Sequence, residues 1–257
     1  MVKAKKYLGQ HFLINRGVTE KMIHEFLKLP KHFTIEIGAG TGVLTKELLN
    51  HFGKDEFVAI DVDAESIQYL KENFTEHSEQ FLLEDFLHSD IVNRLLSQQK
   101  VNIIGNFPYN ISTQIMFKIL DHKNNIEHVI GMFQKEVAQR ICADPGNKDY
   151  GIPSVLLQTY YDAQYLFTVN EGSFNPPPKV KSAVVVLRKK QEIPFNINEK
   201  LFFDVVKTAF NQRRKTLKNS LKKFGTNTDF PYKDKRPEEL SYRQFLEITE
   251  CIEKAER

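Results

Sequence analysis

"FTIEIGAGTGVLTKELLNHF", residues 33–52, decides the fold. Its first five residues, Phe33 to Ile37, are largely β-branched or aromatic and read as a short buried strand. Gly38, Gly40 and Gly42 follow at alternate positions, where the backbone can turn sharply and come close to a ligand. From there Val43, Leu44, Leu48 and Leu49 recur at helical spacing. A strand, a glycine turn and a helix in immediate succession are one unit of a layered α/β sheet.

The same unit repeats on both sides. "FVAID" (57–61) precedes the helical "AESIQYLKENF", and "QFLLED" (80–85) precedes another helical stretch. "VNIIGN" (101–106) leads to "STQIMFKILDH", and "HVIGMFQ" (128–134) to "KEVAQRICA". "PSVLLQTYYDA" (153–163) reads as helix, while "QYLFTV" (164–169) and "SAVVVLR" (182–188) read as strands. Repeated alternation with short connections predicts a parallel, doubly wound, Rossmann-like sheet. The two late strands, with no clear helix between them, predict a partly antiparallel edge. After Arg188 the polar, proline-bearing "KKQEIPFNINEK" reads as a linker, and only helix-like segments follow. The expected division is an α/β domain over 1–190 and a small all-helical domain over 191–257. In the second, Val206, Phe210, Leu217, Leu221 and Phe224 fall near one helical face, and Ser241 is a candidate N-cap for a final helix.

Composition narrows the class. The chain has 257 residues, 41% hydrophobic and 27% charged, enough for one large core with a satellite. A net charge of +3 says little, but its distribution says more. No acid precedes Glu20, and none falls between Asp204 and Asp229, where Lys207, Arg213, Arg214, Lys215, Lys218, Lys222 and Lys223 lie. Such clusters are often solvated faces, but two acid-free patches favour a polyanionic partner. Lys179 and Lys181 add cations to a late loop. Two cysteines, Cys142 and Cys251, make no disulfide framework, which fits a reducing cytoplasmic setting. The scattered histidines show no metal-ligand spacing. The basic start lacks an apolar leader core, and no run reaches the ~20 apolar residues of a membrane helix.

A glycine turn alone is often just a tight connection. The spacing here is G-x-G-x-G, not the G-x-G-x-x-G of dinucleotide sites, and Glu36 would repel a pyrophosphate. That favours a ligand without phosphates and with a positive charge. Asp61 ends the second strand, near the ~20-residue spacing at which an acid meets ribose hydroxyls. Asp85 ends the third and can accept from an adenine amine. Either acid alone could be a solvated strand end. Together with the turn, at the carboxyl ends of successive strands, they describe a site for S-adenosylmethionine. "GNFPYNIS" (105–112) then supplies an amide, two aromatics and a proline beside that donor. An exocyclic adenine amine is a poor nucleophile, because its lone pair is delocalised into the ring. The Asn106 side-chain oxygen and the Phe107 carbonyl are two neutral acceptors for its hydrogens. Pro108 fixes the chain direction, and Tyr109 offers a stacking face worth roughly 1–3 kcal/mol.

With these motifs in view the chain resembles the small-subunit (16S) ribosomal RNA adenine N6,N6-dimethyltransferases. The resemblance runs nearly end to end, through "GQHFL" (9–13), "EIGAGTGVLT", "AIDVD", "LEDFL", "GNFPYNIS", "FNPPPKVKSAVV" (174–185) and "FNQRRKTLKNSL" (210–221). It implies that His11 and Leu13 touch S-adenosylmethionine, and that Gly38, Asp61, Asp85 and Asn106 line the donor site. It places Phe174 opposite Tyr109 as a second stacking wall. His11 stands where the common form has asparagine, Asp61 is a carbon shorter than the frequent glutamate, and Phe107 replaces the usual leucine. The implied activity is dimethylation of two adjacent adenosines in a terminal hairpin loop of the small-subunit RNA, by a cytoplasmic monomer without metal. Lys179, Lys181, Arg213, Arg214 and Lys218 are the expected RNA contacts. The alternatives are a large-subunit RNA dimethylase of the resistance type, or a largely non-catalytic assembly or transcription factor on the same fold.

Overall fold

The computed structural model describes residues 2–192, 198–225 and 230–256. From the N-terminus the chain forms β1 (Phe12–Leu13), α1 (Arg16–Leu27), and the strand and helix of the opening stretch, β2 (Phe33–Ile37) and α2 (Val43–Leu48). The alternation continues through β3 (Phe57–Asp61), α3 (Ala64–Asn73), β4 (Phe81–Leu83) and α4 (Asp90–Gln98). Next come β5 (Val101–Asn106), α5 (Ser112–Asp121), β6 (Ile126–Gln134) and α6 (Lys135–Cys142). Then α7 (Ile152–Tyr160) runs directly into β7 (Tyr161–Val169), followed by β8 (Phe174–Asn175) and β9 (Ser182–Lys189). The strand expected at Gln164 thus begins at Tyr161, an aromatic residue with no exposed surface that suits extended backbone.

Seven strands form one sheet in the order β4-β3-β2-β5-β6-β9-β7, and β1 and β8 pair as a separate antiparallel ribbon. The strands from β4 to β6 run parallel, while β9 runs antiparallel to β6 with Ser182 opposite Gln134. This is the mixed edge that the late strands predict. Ile35, Ile103, Ile104 and Ile130 are fully buried, the pattern of strands covered on both faces. From β2 the chain steps to β3 on one side and returns at β5 on the other. The crevice beyond Ile37 and Asn106 is therefore the topological switch point, where open α/β sheets bind ligands.

Contacts divide the chain into two compact units, 1–138 with 164–189, and 139–163 with 190–257. The second is larger than the helical domain expected over 191–257, because α7 belongs to it. Val155, Leu156 and Leu157 are all fully buried, so α7 has no solvent stripe to mark it. It packs with α8 (Glu199–Asn211) and with α10 (Tyr242–Glu256), which follows the four-residue α9 (Leu217–Ser220). Phe210 meets Tyr150 and Phe245, with ring centroids 6.0 and 5.8 Å apart. Ser241 caps α10 as expected, its Oγ accepting from the Gln244 amide at 3.4 Å. Residues 193–197 of the expected linker lie outside the described residues. The single helix implied by the apolar face from Val206 to Phe224 is broken. Gln212 leaves helical geometry, and the amides of Leu217 and Lys218 donate to the carbonyls of Lys235 and Lys233 at 2.8 and 2.7 Å. Donors bonded across to another segment cannot also extend α8.

Candidate active site

The site is built at the end of β5. Phe107 turns into the protein: it is 1% exposed and meets Phe133 edge-on at 5.0 Å. Two glycines make its space. A Cβ on Gly105 would lie 2.8 Å from the Phe107 ring, and one on Gly131 only 2.4 Å from it. The anchored ring fixes the backbone that follows. The Pro108 carbonyl accepts from the Ile111 amide (3.2 Å) and the Ser112 hydroxyl (3.0 Å), and the Tyr109 carbonyl accepts from the same hydroxyl (3.2 Å). Among the described residues no donor reaches the Phe107 carbonyl. One acceptor of this turn is thus left unengaged.

Asn106 supplies another. Its Nδ2 donates to the His11 carbonyl at 2.8 Å, which orients the amide and leaves Oδ1 without a partner among the described residues. His11 is held in turn. Its Nδ1 lies 2.8 Å from the Pro176 carbonyl, so that nitrogen carries the hydrogen. The His11 ring faces Tyr109 with centroids 5.2 Å apart and planes at 31°. The Tyr109 hydroxyl bonds to Ser182 Oγ, and burial pushes its pKa up, which keeps it a neutral phenol. Phe174 does not serve as the second wall. It is 2% exposed, paired opposite Leu13 in the β1–β8 ribbon, and part of the hydrophobic core. The ring that faces Tyr109 is that of His11.

On the donor side Gly38 has φ +73, and a Cβ there would stand only 3.1 Å from the Asn106 carbonyl, with Pro108 in contact at 3.5 Å. The turn is thus shaped by the strand beside it. Asp61 is almost buried; its Oδ2 accepts from the Gly40 amide and its Oδ1 from the Asp63 amide, each at 2.9 Å. Burial raises its pKa against the pull of those amides. Asp63 ties down the N-terminal segment, accepting from Lys5 (2.6 Å) and Gln10 (3.0 Å). His11, Gly38, Asp61 and Asn106 to Tyr109 thereby line a single crevice. Leu13 lines an adjoining cavity with Glu36, Gly38 and Asn106. Glu36 is 1% exposed, and burial pushes its carboxyl up to about 8, so it is neutral at pH 7. Its Oε2 has no hydrogen-bond partner among the described residues. Asp85 stands apart from this lining. β4 ends at Leu83, and the Asp85 carboxylate folds back onto the Leu87 amide and His88, both at 2.8 Å.

The expected RNA contacts divide in the same way. Lys179 and Lys181 are exposed on the loop before β9, without a carboxylate partner among the described residues. Arg214 and Lys218 are exposed on the second unit. Arg213 is engaged inside that unit: its guanidinium donates to the carbonyls of Lys148 (2.8 Å) and Asn147 (3.3 Å) and lies 3.7 Å from Glu238. Among the described residues no group of three or more His, Cys, Asp or Glu is placed to hold a metal, and no helix is long and apolar enough to cross a membrane. Cys142 and Cys251 are both free thiols. Sequence reasoning missed the His11 carbonyl, Ser182 and the Gly105–Gly131 pair. Only the glycines left a signal, as strand-interior residues that mark a close approach.

A seven-stranded sheet, a glycine turn at its switch point and an Asn-aromatic-Pro-aromatic segment on the next strand define a Rossmann-like methyltransferase. The chain belongs to the ribosomal RNA adenine dimethylase family, whose model matches residues 1–254. It is 48% identical over 256 residues to the ribosomal RNA small subunit methyltransferase A of Cytophaga hutchinsonii, covering 98% of both chains. It is 49% identical to the protein of that name from Flavobacterium johnsoniae, with 98% and 97% covered. Among solved structures, a dimethyladenosine transferase from Plasmodium falciparum matches with TM-score 0.79 and 26% identity, over 95% of this chain and 98% of that one. The 23S rRNA methyltransferase ErmE shares the fold, with TM-score 0.72 and 21% identity over 94% and 99% of the two chains.

Proposed function

We propose that this chain dimethylates the N6 amines of two adjacent adenosines in a terminal hairpin loop of small-subunit (16S) ribosomal RNA, using S-adenosylmethionine, and so contributes to small-subunit biogenesis. It acts as a cytoplasmic monomer. The observation that carries this reading is the pair of unengaged neutral acceptors, Asn106 Oδ1 and the Phe107 carbonyl, in a segment whose neighbouring polar groups are bonded. The near full-length identity to small-subunit methyltransferases supports the choice of particle.

The residues present fit the donor. Gly38 leaves open a space that a Cβ would fill, Asp61 keeps lone pairs for ribose hydroxyls beyond its two amides, and Glu36 has an orphaned buried oxygen that can accept a hydrogen bond. When bound, S-adenosylmethionine supplies an electrophilic methyl on a sulfonium centre. Asn106 and Phe107 accept the two hydrogens of the target amine and draw its lone pair out of conjugation. Tyr109 offers the base a stacking face, and the His11 ring packs beside it. After one methyl is added a single N–H remains, and one acceptor suffices to hold it for the second transfer. The two acceptors only orient the amine; the proton that each transfer releases goes to water, and the rate comes from placement.

Asn106→Ala tests the reading. It removes one acceptor and the bond to His11, and is expected to lower single-turnover methylation of unmethylated small subunits about a hundredfold, the scale of losing one preorganised transition-state contact. Particle affinity is expected to hold. Wild-type rates in a folded Asn106→Ala protein would refute the clamp.

A further inference from the structure

Beside the crevice lies a second, larger recess of about 590 Å³, within the roughly 300–1,000 Å³ typical of ligand sites. The two share Gly9, Gln10, His11 and Tyr109, so whatever enters one can continue into the other. The chemistry of the recess differs from that of the crevice. Pro176, Pro177 and Val180 are exposed and give it flat apolar walls. Lys6 and Lys179 stand on its lining, both exposed and neither paired with a carboxylate among the described residues.

Three amides also line it, and among the described residues one of them makes no side-chain hydrogen bond at all. Gln10 is engaged at both ends, by the Lys5 amide (2.9 Å) and by Asp63 (3.0 Å). Asn110 donates to the Tyr7 carbonyl at 3.4 Å. Gln134, the last residue of β6, is half-buried, and its side chain makes no hydrogen bond to any described residue. Its neighbour across the ladder is Ser182, the partner of the Tyr109 hydroxyl, so its backbone is fixed beside the stacking face. An amide held at a sheet end presents one donor and one acceptor in a plane. That pair matches N7 and the N6 amine of adenine, and not the two acceptors of guanine.

We propose that this recess holds the nucleotide next to the adenosine in the crevice, with Gln134 reading the adenine edge of that neighbour. The apolar walls take the base face, and Lys6 and Lys179 take the backbone phosphates. The assignment rests on the proposed dimethylation of adjacent adenosines and gives one adenosine of the pair a preferred adenine neighbour. A guanosine in the neighbouring place leaves the Gln134 donor or acceptor unmatched, at a cost of about 1–3 kcal/mol, or roughly a five- to 150-fold loss of rate.

The test compares initial methylation rates per target adenosine on small subunits whose RNA carries the native adenosine pair, or has either member replaced by guanosine. Wild-type protein is expected to modify at least one of the replaced substrates about tenfold more slowly than the native pair. In Gln134→Ala that difference is expected to vanish, with S-adenosylmethionine affinity unchanged by calorimetry. Loss of the difference in the variant supports the subsite, which a merely structural glutamine would not produce. The same difference persisting in Gln134→Ala, or no difference in wild type, would overturn it. Wild-type protein inactive on the native pair would overturn the proposed activity itself, and the subsite with it.

Discussion

Asn106 was legible in the sequence because its neighbours, two aromatics and a proline, make no sense as a simple strand end. What holds it was not legible. The His11 carbonyl is a backbone group with no residue signature, and it becomes an orienting acceptor only when the N-terminal segment is laid against β5. Phe174 fails as a wall for the converse reason: pairing of β1 with β8 is a long-range event that buries it. Glu36 carries a prediction at this scale. Its carboxyl titrates near 8 in the fold because of burial, against 4.5 as its ordinary value. Between those pH values the folded chain keeps a proton that the unfolded chain has released, so stability falls as pH rises through that window. Glu36→Gln should remove that dependence. Denaturation of the donor-free protein at about pH 6 and about pH 9 checks it, with the variant expected to lose less stability than wild type across the interval. Equal losses would mean that Glu36 is already ionised.

At the scale of elements, strand–helix alternation was readable wherever one face was apolar, and the five parallel strands follow it. It gave the helix of α7 but not the unit that this helix joins, and it failed in the run from Lys207 to Lys223. There the apolar period continues along the sequence, but amides bonded to Lys233 and Lys235 end the helix. That break changes which cations can meet RNA. Arg213 is a tie within its unit, whereas Arg214 and Lys218 present exposed charge. Neutralising Arg214 and Lys218 together should weaken binding to the small subunit and flatten its salt dependence, by roughly 0.7–0.9 in log–log slope for each phosphate no longer neutralised. Donor affinity should be unchanged, since neither residue lines the donor crevice. Particle binding titrated at several salt concentrations decides the point, and coincident lines for variant and wild type would return both residues to the role of solvated surface. Lys179 and Lys181 would then be the better candidates.

For the whole molecule, the switch point of the sheet is what brings the parts together. Gly38 follows β2, Asn106 ends β5, and the N-terminal ribbon crosses both, so groups nearly a hundred residues apart share one crevice. The proposed meeting of methyl donor and target base at this edge follows from that topology. The central claim is that two neutral acceptors present an adenine amine twice in succession. It is tested most directly by incubating wild-type protein and isotopically labelled S-adenosylmethionine with unmethylated small subunits, large subunits and bare DNA, then identifying the modified nucleosides by mass spectrometry. The account predicts N6,N6-dimethyladenosine at two adjacent positions of the small-subunit RNA, with no label in the other two substrates. Monomethyladenosine as the end product, or label in the large subunit instead, would contradict it.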